Sequence, residues 1–257
     1  MTPAQPETPL ALSSFGADLN VAVIGASGGI GRALADDLAQ CPTVAQVFRL
    51  SRSHLQSVGN KDRCLSLDLE DETSISDAAA EIKKSARMLH LVVVATGILH
   101  VNDQLQPEKT WRSLEGRTLE TAFRINTFGP ALVAKHFLPL LARDRKSVFA
   151  ALSARVGSIS DNRLGGWYAY RASKAALNML IKTLSIELAR RNPDALCVGL
   201  HPGTVDTGLS KPFQTGVPED KLFTPARSAR HLLQVLDRLS PDHTGGLYAW
   251  DGQPIPF

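Results

Sequence analysis

A short apolar run that leads directly into a cluster of glycines constrains the fold of this chain most. Residues 20–24 read Asn-Val-Ala-Val-Ile and predict a buried strand. Residues 25–31 follow as Gly-Ala-Ser-Gly-Gly-Ile-Gly, and the apolar spacing from Ala33 to Leu38 predicts a helix. Strand, glycine loop and helix in this order form a turn that binds phosphate at a helix N-terminus.

Three glycines of this loop each suit such a turn. Gly25 allows a tight bend, Gly29 lets the backbone approach a pyrophosphate, and Gly31 lets the helix pack closely on the strand. The spacing differs from the Gly-x-Gly-x-x-Gly dinucleotide fingerprint and lacks the Gly-Lys-Ser/Thr of a P-loop, which excludes an NTPase. A merely structural turn is the alternative, and the position after the first strand favours a nucleotide site.

The second expected strand, residues 46–50, ends in Ser51-Arg52-Ser53. An acidic residue here would accept hydrogen bonds from the adenosine ribose of NAD, whereas an arginine pairs with the 2′-phosphate of NADP. The chain has Arg52 and no acid at this place. The pattern favours NADP over NAD, with an ordinary surface arginine as the alternative.

Strands and helices alternate along the rest of the chain. Further strands are expected at residues 64–67, 89–95, 147–152, 195–200 and 247–250, and helices at 73–86, 118–143, 167–191 and 226–239. The run 89–95 is almost wholly apolar, as in a strand covered on both faces of a parallel sheet. The alternation predicts an α/β fold with a doubly wound, mostly parallel sheet and helices on both faces.

Tyr170 and Lys174 lie four residues apart near the start of the predicted helix 167–191, so both side chains share one face. A free phenol has a pKa of about 10, and an adjacent ammonium favours the phenolate and lowers that pKa. Tyr170 is therefore a candidate general acid/base with Lys174 as its tuner. A solvated lysine beside a half-buried tyrosine is the alternative when the motif is taken alone.

Composition narrows the possible partners and compartment. The 257 residues include 44% hydrophobic and 21% charged residues, and the scattered net charge of +3 argues against nucleic-acid binding. Apolar runs are too short to cross a bilayer and no signal-peptide pattern opens the chain, so we expect a cytoplasmic protein without membrane contact. The three widely spaced cysteines indicate reduced thiols and no metal site. The prolines in residues 1–18 predict a flexible extension before a single domain, 19–257.

Five motifs in order identify a family resemblance: the 25–31 glycines, Asp68, Asn126, Tyr170-x-x-x-Lys174 and Pro202-Gly203-x-Val205-x-Thr207. Together they resemble the short-chain dehydrogenase/reductase family over nearly everything after residue 19. Residues 153–158 and 165–174 look like its C-factor group, which is related to NADPH-dependent carbonyl reductases. The resemblance implies a Rossmann fold and hydride transfer between a nicotinamide and a carbonyl or alcohol carbon.

The resemblance also implies roles for individual residues. Tyr170 would be the acid/base, Lys174 would bind the nicotinamide ribose, and Asn126 would hold a water of a proton relay. Val205 would meet the carboxamide through its backbone, Thr207 the pyrophosphate and Asp68 the adenine. The full cofactor set is expected to comprise Gly25, Ser27, Gly29, Ile30, Gly31, Arg52, Asp68, Leu69, Ala95, Thr96, Gly97, Tyr170, Lys174, Pro202, Gly203, Val205 and Thr207.

The chain departs from the family pattern at four places. Ile24 replaces a threonine before the first glycine, residues 94–97 read Val-Ala-Thr-Gly in place of Asn-Asn-Ala-Gly, and the family does not require residues 1–18. The loop at residues 94–97 is then expected to be held by Thr96. Ala154 occupies the position of the catalytic serine. We expect Ser153 to supply the missing hydroxyl, slightly ahead of Ser158, so that Ser153→Ala lowers kcat at least tenfold.

Two functions compete on these residues. The first is an NADP(H)-dependent oxidoreductase that acts on a small carbonyl or alcohol substrate. The second is a dinucleotide-binding signalling or sensor protein of the same fold with little turnover, which Ala154 favours. The fold cannot choose between them. A substrate flap is expected near residues 209–225, and a homodimer or homotetramer is expected because family members commonly pair the helices at 118–143 and 167–191.

Overall fold

The computed structural model describes residues 10–101 and 105–257. The strands in these residues are β1 (Leu19–Ile24), β2 (Val44–Ser51), β3 (Asp62–Ser66), β4 (Leu91–Val94), β5 (Ser147–Leu152), β6 (Ala195–His201), β7 (Thr204–Val205), β8 (Leu222–Phe223), β9 (Leu247–Ala249) and β10 (Pro254–Ile255). The α-helices are α1 (Gly29–Gln40), α2 (Glu72–Ala86), α3 (Gly116–Phe123), α4 (Gly129–Phe137), α5 (Tyr168–Arg191) and α6 (Pro225–Arg238).

One central sheet organises the described residues, with the strand order β10-β9-β6-β5-β4-β1-β2-β3. All neighbours are parallel except β10, which runs antiparallel to β9. Ile24, at the end of β1, pairs with Leu50 on one side and Val94 on the other. The chain order reverses between β1 and β4, so the crevice beyond their carboxyl ends is the expected ligand site of such a sheet. The predicted doubly wound, mostly parallel fold is confirmed.

The side chains of β1 alternate between two hydrophobic cores, one on each face of the sheet. Val21 and Val23 belong to the core shared with α1 and α6, which includes Leu34 and Leu232. Ala22 and Ile24 belong to the core shared with α2, α4 and α5. Helices thus cover both faces, which explains why the strands are apolar throughout.

The helix expected at 118–143 is interrupted in the structure. A π-helical turn, Arg124–Phe128, separates α3 from α4, and a 3₁₀ turn, Leu138–Leu140, follows α4. The π turn surrounds Asn126, whose side chain bonds outside the helix, and such turns often mark functional sites. None of the helices in residues 10–101 and 105–257 is both long and apolar enough to cross a membrane.

The segment before β1 differs from the expected flexible extension. Residues 1–9 lie outside the described residues, but Leu12 and Phe15 are fully buried in the core beside α6. Lys146 Nζ donates to Ser14 Oγ at 2.7 Å and lies 4.5 Å from the centre of the Phe15 ring. Burial of the Leu12 and Phe15 side chains stabilises the packing of this otherwise polar, proline-containing segment against the helical side of the core.

Candidate active site

The glycine loop is shaped by backbone and side-chain contacts. Gly25 has a φ of +87°, and its N–H donates to Leu50 O at 2.8 Å. A Cβ on Gly31 would clash with the Gly25 carbonyl oxygen, so close packing of α1 on the loop requires glycine there. A Cβ on Gly29 would lie 2.9 Å from Thr207 Cγ2. The structure therefore brings Thr207 to the start of α1, as expected for two residues of one binding site.

The N-terminus of α1 opens into a cleft of about 510 Å³. Gly28, the residue before α1, makes no side-chain capping bond to the helix. The sequence-predicted residues that line the cleft are Gly29, Ile30, Ala95, Thr96, Gly97, Ser153, Tyr170, Lys174, Pro202, Gly203, Val205 and Thr207. Those that do not line it are Gly25, Ser27, Gly31, Arg52, Asp68, Leu69 and Asn126.

Arg52 and Asp68 lie near the carboxyl ends of neighbouring strands, outside the lining of this cleft. Ser51 and Ser66, the last residues of β2 and β3, are paired in the sheet. Arg52 is exposed just after β2, and Ser51 Oγ donates to Ser27 Oγ at 2.8 Å. Asp68 Oδ1 accepts a bond from Glu70 N at 3.0 Å. The side of the glycine loop expected to meet adenosine therefore carries the exposed guanidinium of Arg52.

Asn126 is fully buried and holds the loop after β4. Its Oδ1 accepts from Ile98 N at 2.8 Å, and its Nδ2 donates to Ile98 O at 2.9 Å and to Ser173 Oγ at 3.1 Å. Both amide hydrogens are used, so this side chain has no donor left for the water of a relay. The expectation that Thr96 holds this loop is wrong, because Thr96 Oγ1 has no hydrogen-bond partner and its methyl packs on Gly25.

Tyr170 and Lys174 project from the same face of α5 into the cleft, as predicted. Lys174 Nζ lies 5.8 Å from the centre of the Tyr170 ring and donates to Leu152 O at 2.8 Å. Burial raises the pKa of Tyr170 to about 12 and lowers the pKa of Lys174 to about 7. The expected lowering of the Tyr170 pKa is thus reversed, because removal from water disfavours the charged form of both groups.

The serine expected to replace the missing hydroxyl is directed elsewhere. Ser153 Oγ donates to Asn178 Oδ1 at 2.7 Å, and both residues are buried. Ser158 Oγ accepts from Asp161 N at 3.1 Å in the following loop. Ser153 lines the cleft, but its hydroxyl hydrogen is committed to Asn178. Tyr170 and Ala154 both line the cleft, so the phenol is the remaining hydroxyl among the predicted catalytic residues.

The expected flap at 209–225 forms one wall of the cleft through Leu209, Ser210, Phe213 and Val217. Its base is fixed by the pairing of β7 with β8, in which Val205 lies beside Phe223. His100 Nε2 lies 2.9 Å from Gly208 O, and the Phe213 ring lies 5.2 Å from the Trp167 ring. The segment thus bridges the loop after β4 and the start of α5.

The cleft residues that the sequence reasoning missed include Trp167, Arg155 and His201. Burial and the nearby Arg155 charge lower the pKa of His201 to about 4, so its imidazole is neutral near pH 7. Its position, directly before Pro202 at the end of β6, was a usable signal because strand ends line this crevice. Trp167 and Arg155 depend on turns that only the tertiary structure defines.

Comparisons with known proteins agree with this geometry. The profile of the family described as short chain dehydrogenase matches residues 19–217. An uncharacterised oxidoreductase of Schizosaccharomyces pombe is 30% identical over 207 residues, which cover 76% of this chain and 78% of the relative. The C-signal protein of Myxococcus xanthus is 38% identical over 135 residues, 52% of this chain and 76% of the relative. The structure of NADPH-bound carbonyl reductase from chicken fatty liver superposes with a TM-score of 0.79 at 27% identity, covering 94% of this chain and 100% of that one.

Proposed function

Because this chain belongs to the short-chain dehydrogenase family, we propose that it is an oxidoreductase that transfers a hydride between NADP(H) and a carbonyl or alcohol carbon of a small molecule. The observation that carries the proposal is the convergence of Tyr170 and Lys174 on the cleft that contains the start of α1. Such a cleft places a proton donor beside a site for a phosphate-containing cofactor.

The cleft suits an anionic dinucleotide. The first N–H groups of α1 have no side-chain cap, and such groups bind pyrophosphate oxygens. The charged side chains that line the cleft are Arg155 and Lys174, and no carboxylate lines it in the described part of the chain. Gly29, Ile30 and Thr207 would hold the pyrophosphate, and Gly97, Lys174, Pro202 and Val205 the nicotinamide half. Bound NADPH would supply the hydride.

Tyr170 would act as the proton donor to the carbonyl oxygen. With a pKa of about 12 the phenol is protonated at neutral pH, which suits reduction, in which the product alkoxide must receive a proton. Lys174, held to Leu152 O, would orient the cofactor ribose and place positive charge near the phenol. Asn126 would fix residues 97 and 98 against Lys174, since a Cβ on Gly97 would lie 3.3 Å from both Asn126 Oδ1 and Lys174 Nζ.

Arg52 supports NADP(H) as the preferred cofactor. It follows β2 directly, it is exposed, and residues 51–53 contain no acid that would favour the NAD ribose. A guanidinium forms charge-assisted bonds with a 2′-phosphate. The three cysteines are free thiols, which agrees with the reducing cytoplasm as the proposed compartment.

A screen of aldehydes and ketones tests the proposal. Purified protein and NADPH are mixed with each carbonyl compound, and the loss of nicotinamide fluorescence is followed. We expect turnover with at least one compound, and we expect Tyr170→Phe to abolish it while the Kd for NADPH stays within about twofold. Tyr168→Phe, on the same helix but with a side chain outside the cleft, is the matched control. Turnover by Tyr170→Phe at the wild-type rate would contradict the assigned role.

A sensor or signalling protein is the second candidate function. Ala154 and the Ser153–Asn178 bond leave the cleft without the family's serine donor, and the relative named C-signal adds weight to this alternative. Tight NADPH binding in the same screen, with no oxidation of NADPH by any carbonyl compound, would favour the sensor.

We also propose a homodimer or homotetramer formed through α5 and the start of α4. Phe128, Met179 and Ile186 are exposed, and the last two lie two turns apart on one face of α5. Exposed apolar side chains on one helix face are typical of a two-fold interface. Light scattering at micromolar concentration should give at least twice the 27.7 kDa chain mass, and Met179→Lys should lower it. A wild-type monomer would refute this assembly.

A further inference from the structure

The turn that leads into the catalytic helix holds a bulky residue in a backbone conformation that bulky residues avoid. Gly165, Gly166 and Trp167 have φ values of +62°, +66° and +53°. Glycine adopts this left-handed region freely, but tryptophan does so at a cost in free energy. Surrounding contacts must therefore fix Trp167, and a conformation maintained at such cost next to a catalytic residue points to a functional reason.

Two side chains clamp this turn. The N–H of Trp167 donates to the main-chain oxygen of Glu108 at 2.6 Å, and the N–H of Ala169 donates to Glu108 Oε2 at 3.2 Å. Arg171 Nε donates to Gly165 O at 3.2 Å and to Gly166 O at 3.0 Å. Glu108 is almost fully buried, so its contacts form part of the packed structure. The clamp fixes the direction of the Trp167 side chain at the N-terminus of α5.

That direction places the indole between the catalytic phenol and the flap. The Trp167 ring centre lies 6.3 Å from that of Tyr170 and 5.2 Å from that of Phe213. Trp167 and Phe213 line the active-site cleft of about 510 Å³ and also a neighbouring cavity of about 850 Å³. In the described residues this aromatic pair is therefore shared by the two cavities and lies between Tyr170 and the second one.

We infer that Trp167 is a specificity-determining residue that favours flat aryl ketones and aldehydes and limits substrate length at the boundary with the second cavity. Leu99, Leu209 and Val217 add apolar side chains to the lining of the cleft. Flat aromatic groups stack favourably on aromatic side chains, whereas flexible alkyl chains gain less from the same surface. This inference rests on the proposed reductase function and adds the substrate class.

Matched ketones test it directly. Acetophenone and octan-2-one contain the same number of carbons, so the ratio of their kcat/KM values isolates the aryl preference. Wild type should favour acetophenone, and Trp167→Asn should lower the ratio about two- to tenfold, the usual range for one aromatic contact. Trp167→Phe should keep most of it. Asparagine and glycine tolerate a φ of +53°, so these variants relieve strain rather than create it.

A second arm measures the length limit. Trp167→Gly should raise kcat/KM for 4-acetylbiphenyl relative to acetophenone at least tenfold, because the added ring can then enter the second cavity. Glu108→Gln should shift each ratio in the same direction as the Trp167 variants but less. Glutamine keeps an acceptor for the Ala169 N–H and loses the negative charge at the start of α5. Trp111→Phe, an exposed tryptophan outside both cavities, is the control and should change neither ratio.

The outcomes separate the inference from the function on which it rests. Turnover by every variant with unchanged ratios would overturn the role of Trp167 and leave the reductase proposal intact. Failure of wild type to oxidise NADPH with every compound of the carbonyl screen, the three ketones included, would overturn both. Turnover of other carbonyl compounds but of none of the three ketones would overturn the inference alone. NADPH affinity and melting temperature, measured for each variant, identify any loss that comes from misfolding.

Discussion

Ser153→Ala distinguishes a catalytic serine from a structural one. Ser153 Oγ donates to Asn178 Oδ1 at 2.7 Å, and each residue is only 3% exposed. Removing the hydroxyl leaves a buried amide oxygen without its donor, which costs about 1–3 kcal/mol of folding free energy. For a domain of this size each kcal/mol lowers the melting temperature by about 2–4 °C, so we expect a decrease of about 2–12 °C.

The same bond predicts a small effect on catalysis. The hydroxyl hydrogen is used by Asn178, so it is unavailable to polarise a substrate carbonyl. We therefore expect kcat of Ser153→Ala to stay within tenfold of wild type, a transition-state loss below about 1.4 kcal/mol. This reverses the expectation from the sequence, in which Ser153 replaces the serine missing at Ala154. A catalytic hydroxyl donor at a comparable site is worth on the order of 10²–10³ in kcat.

Two assays on one set of variants distinguish a structural from a catalytic role of Ser153. Thermal unfolding and NADPH oxidation are measured for wild type, Ser153→Ala, Asn178→Ala and the double variant, and the cycle should show coupling in stability because the two side chains are bonded. Ser57→Ala is the control, since Ser57 is exposed and bonds only backbone oxygens nearby. A Ser153→Ala protein that melts like wild type but loses a hundredfold in kcat would refute this reasoning.

Three further predictions follow from the described contacts. Arg52→Ala should weaken NADP(H) at least tenfold and leave NAD(H) nearly unchanged, which titration of both cofactors checks; equal losses would contradict the 2′-phosphate role. Phe15→Ala should destabilise the fold by about 3–5 kcal/mol because the ring is fully buried. Phe257→Ala is the control, since Phe257 is 44% exposed, and equal melting temperatures for the two variants would show that Phe15 does not stabilise the fold. Burial lowers the pKa of Lys174 from the usual 10.5 to about 7 in the folded state. Between pH 7 and 10.5 the unfolded chain therefore binds more protons than the folded one, so the contribution of Lys174 makes the free energy of unfolding rise with pH. Lys174→Met should therefore melt above wild type at pH 6 without cofactor and lose more than half of that advantage by pH 9; a difference independent of pH would exclude this linkage.

Local patterns were sufficient to predict most of the fold. The strand, glycine loop and α1 follow from residues adjacent in sequence, and the four-residue spacing of Tyr170 and Lys174 follows from helical geometry alone. Both predictions hold because the tertiary structure buries the same apolar strand and helix faces that the local sequence pattern predicts. The packing of Leu12 and Phe15 was missed because two apolar residues among prolines and serines form no periodic pattern.

The parts of the site that could not be predicted depend on residues far apart in sequence. The π turn around Asn126 accommodates an amide that bonds to Ile98 and Ser173, 28 and 47 residues away. The orientation of Trp167 depends on Glu108, which contacts the start of α5 from 61 residues away. A helical pattern predicts which face a side chain occupies, but it contains no information about such partners.

The sign of the Tyr170 pKa shift was also beyond the sequence, and it bears on the direction of the reaction. A spacing of four residues predicts an ammonium beside the phenol, whereas the structure adds burial of both groups, and desolvation then dominates. With a pKa of about 12, Tyr170 is protonated at pH 7, which fits its proposed role as a proton donor. An anionic ligand in the cleft would favour the ammonium form of Lys174 and so lower the Tyr170 pKa again. Oxidation of an alcohol would therefore depend on that coupling, whereas reduction of a carbonyl would not.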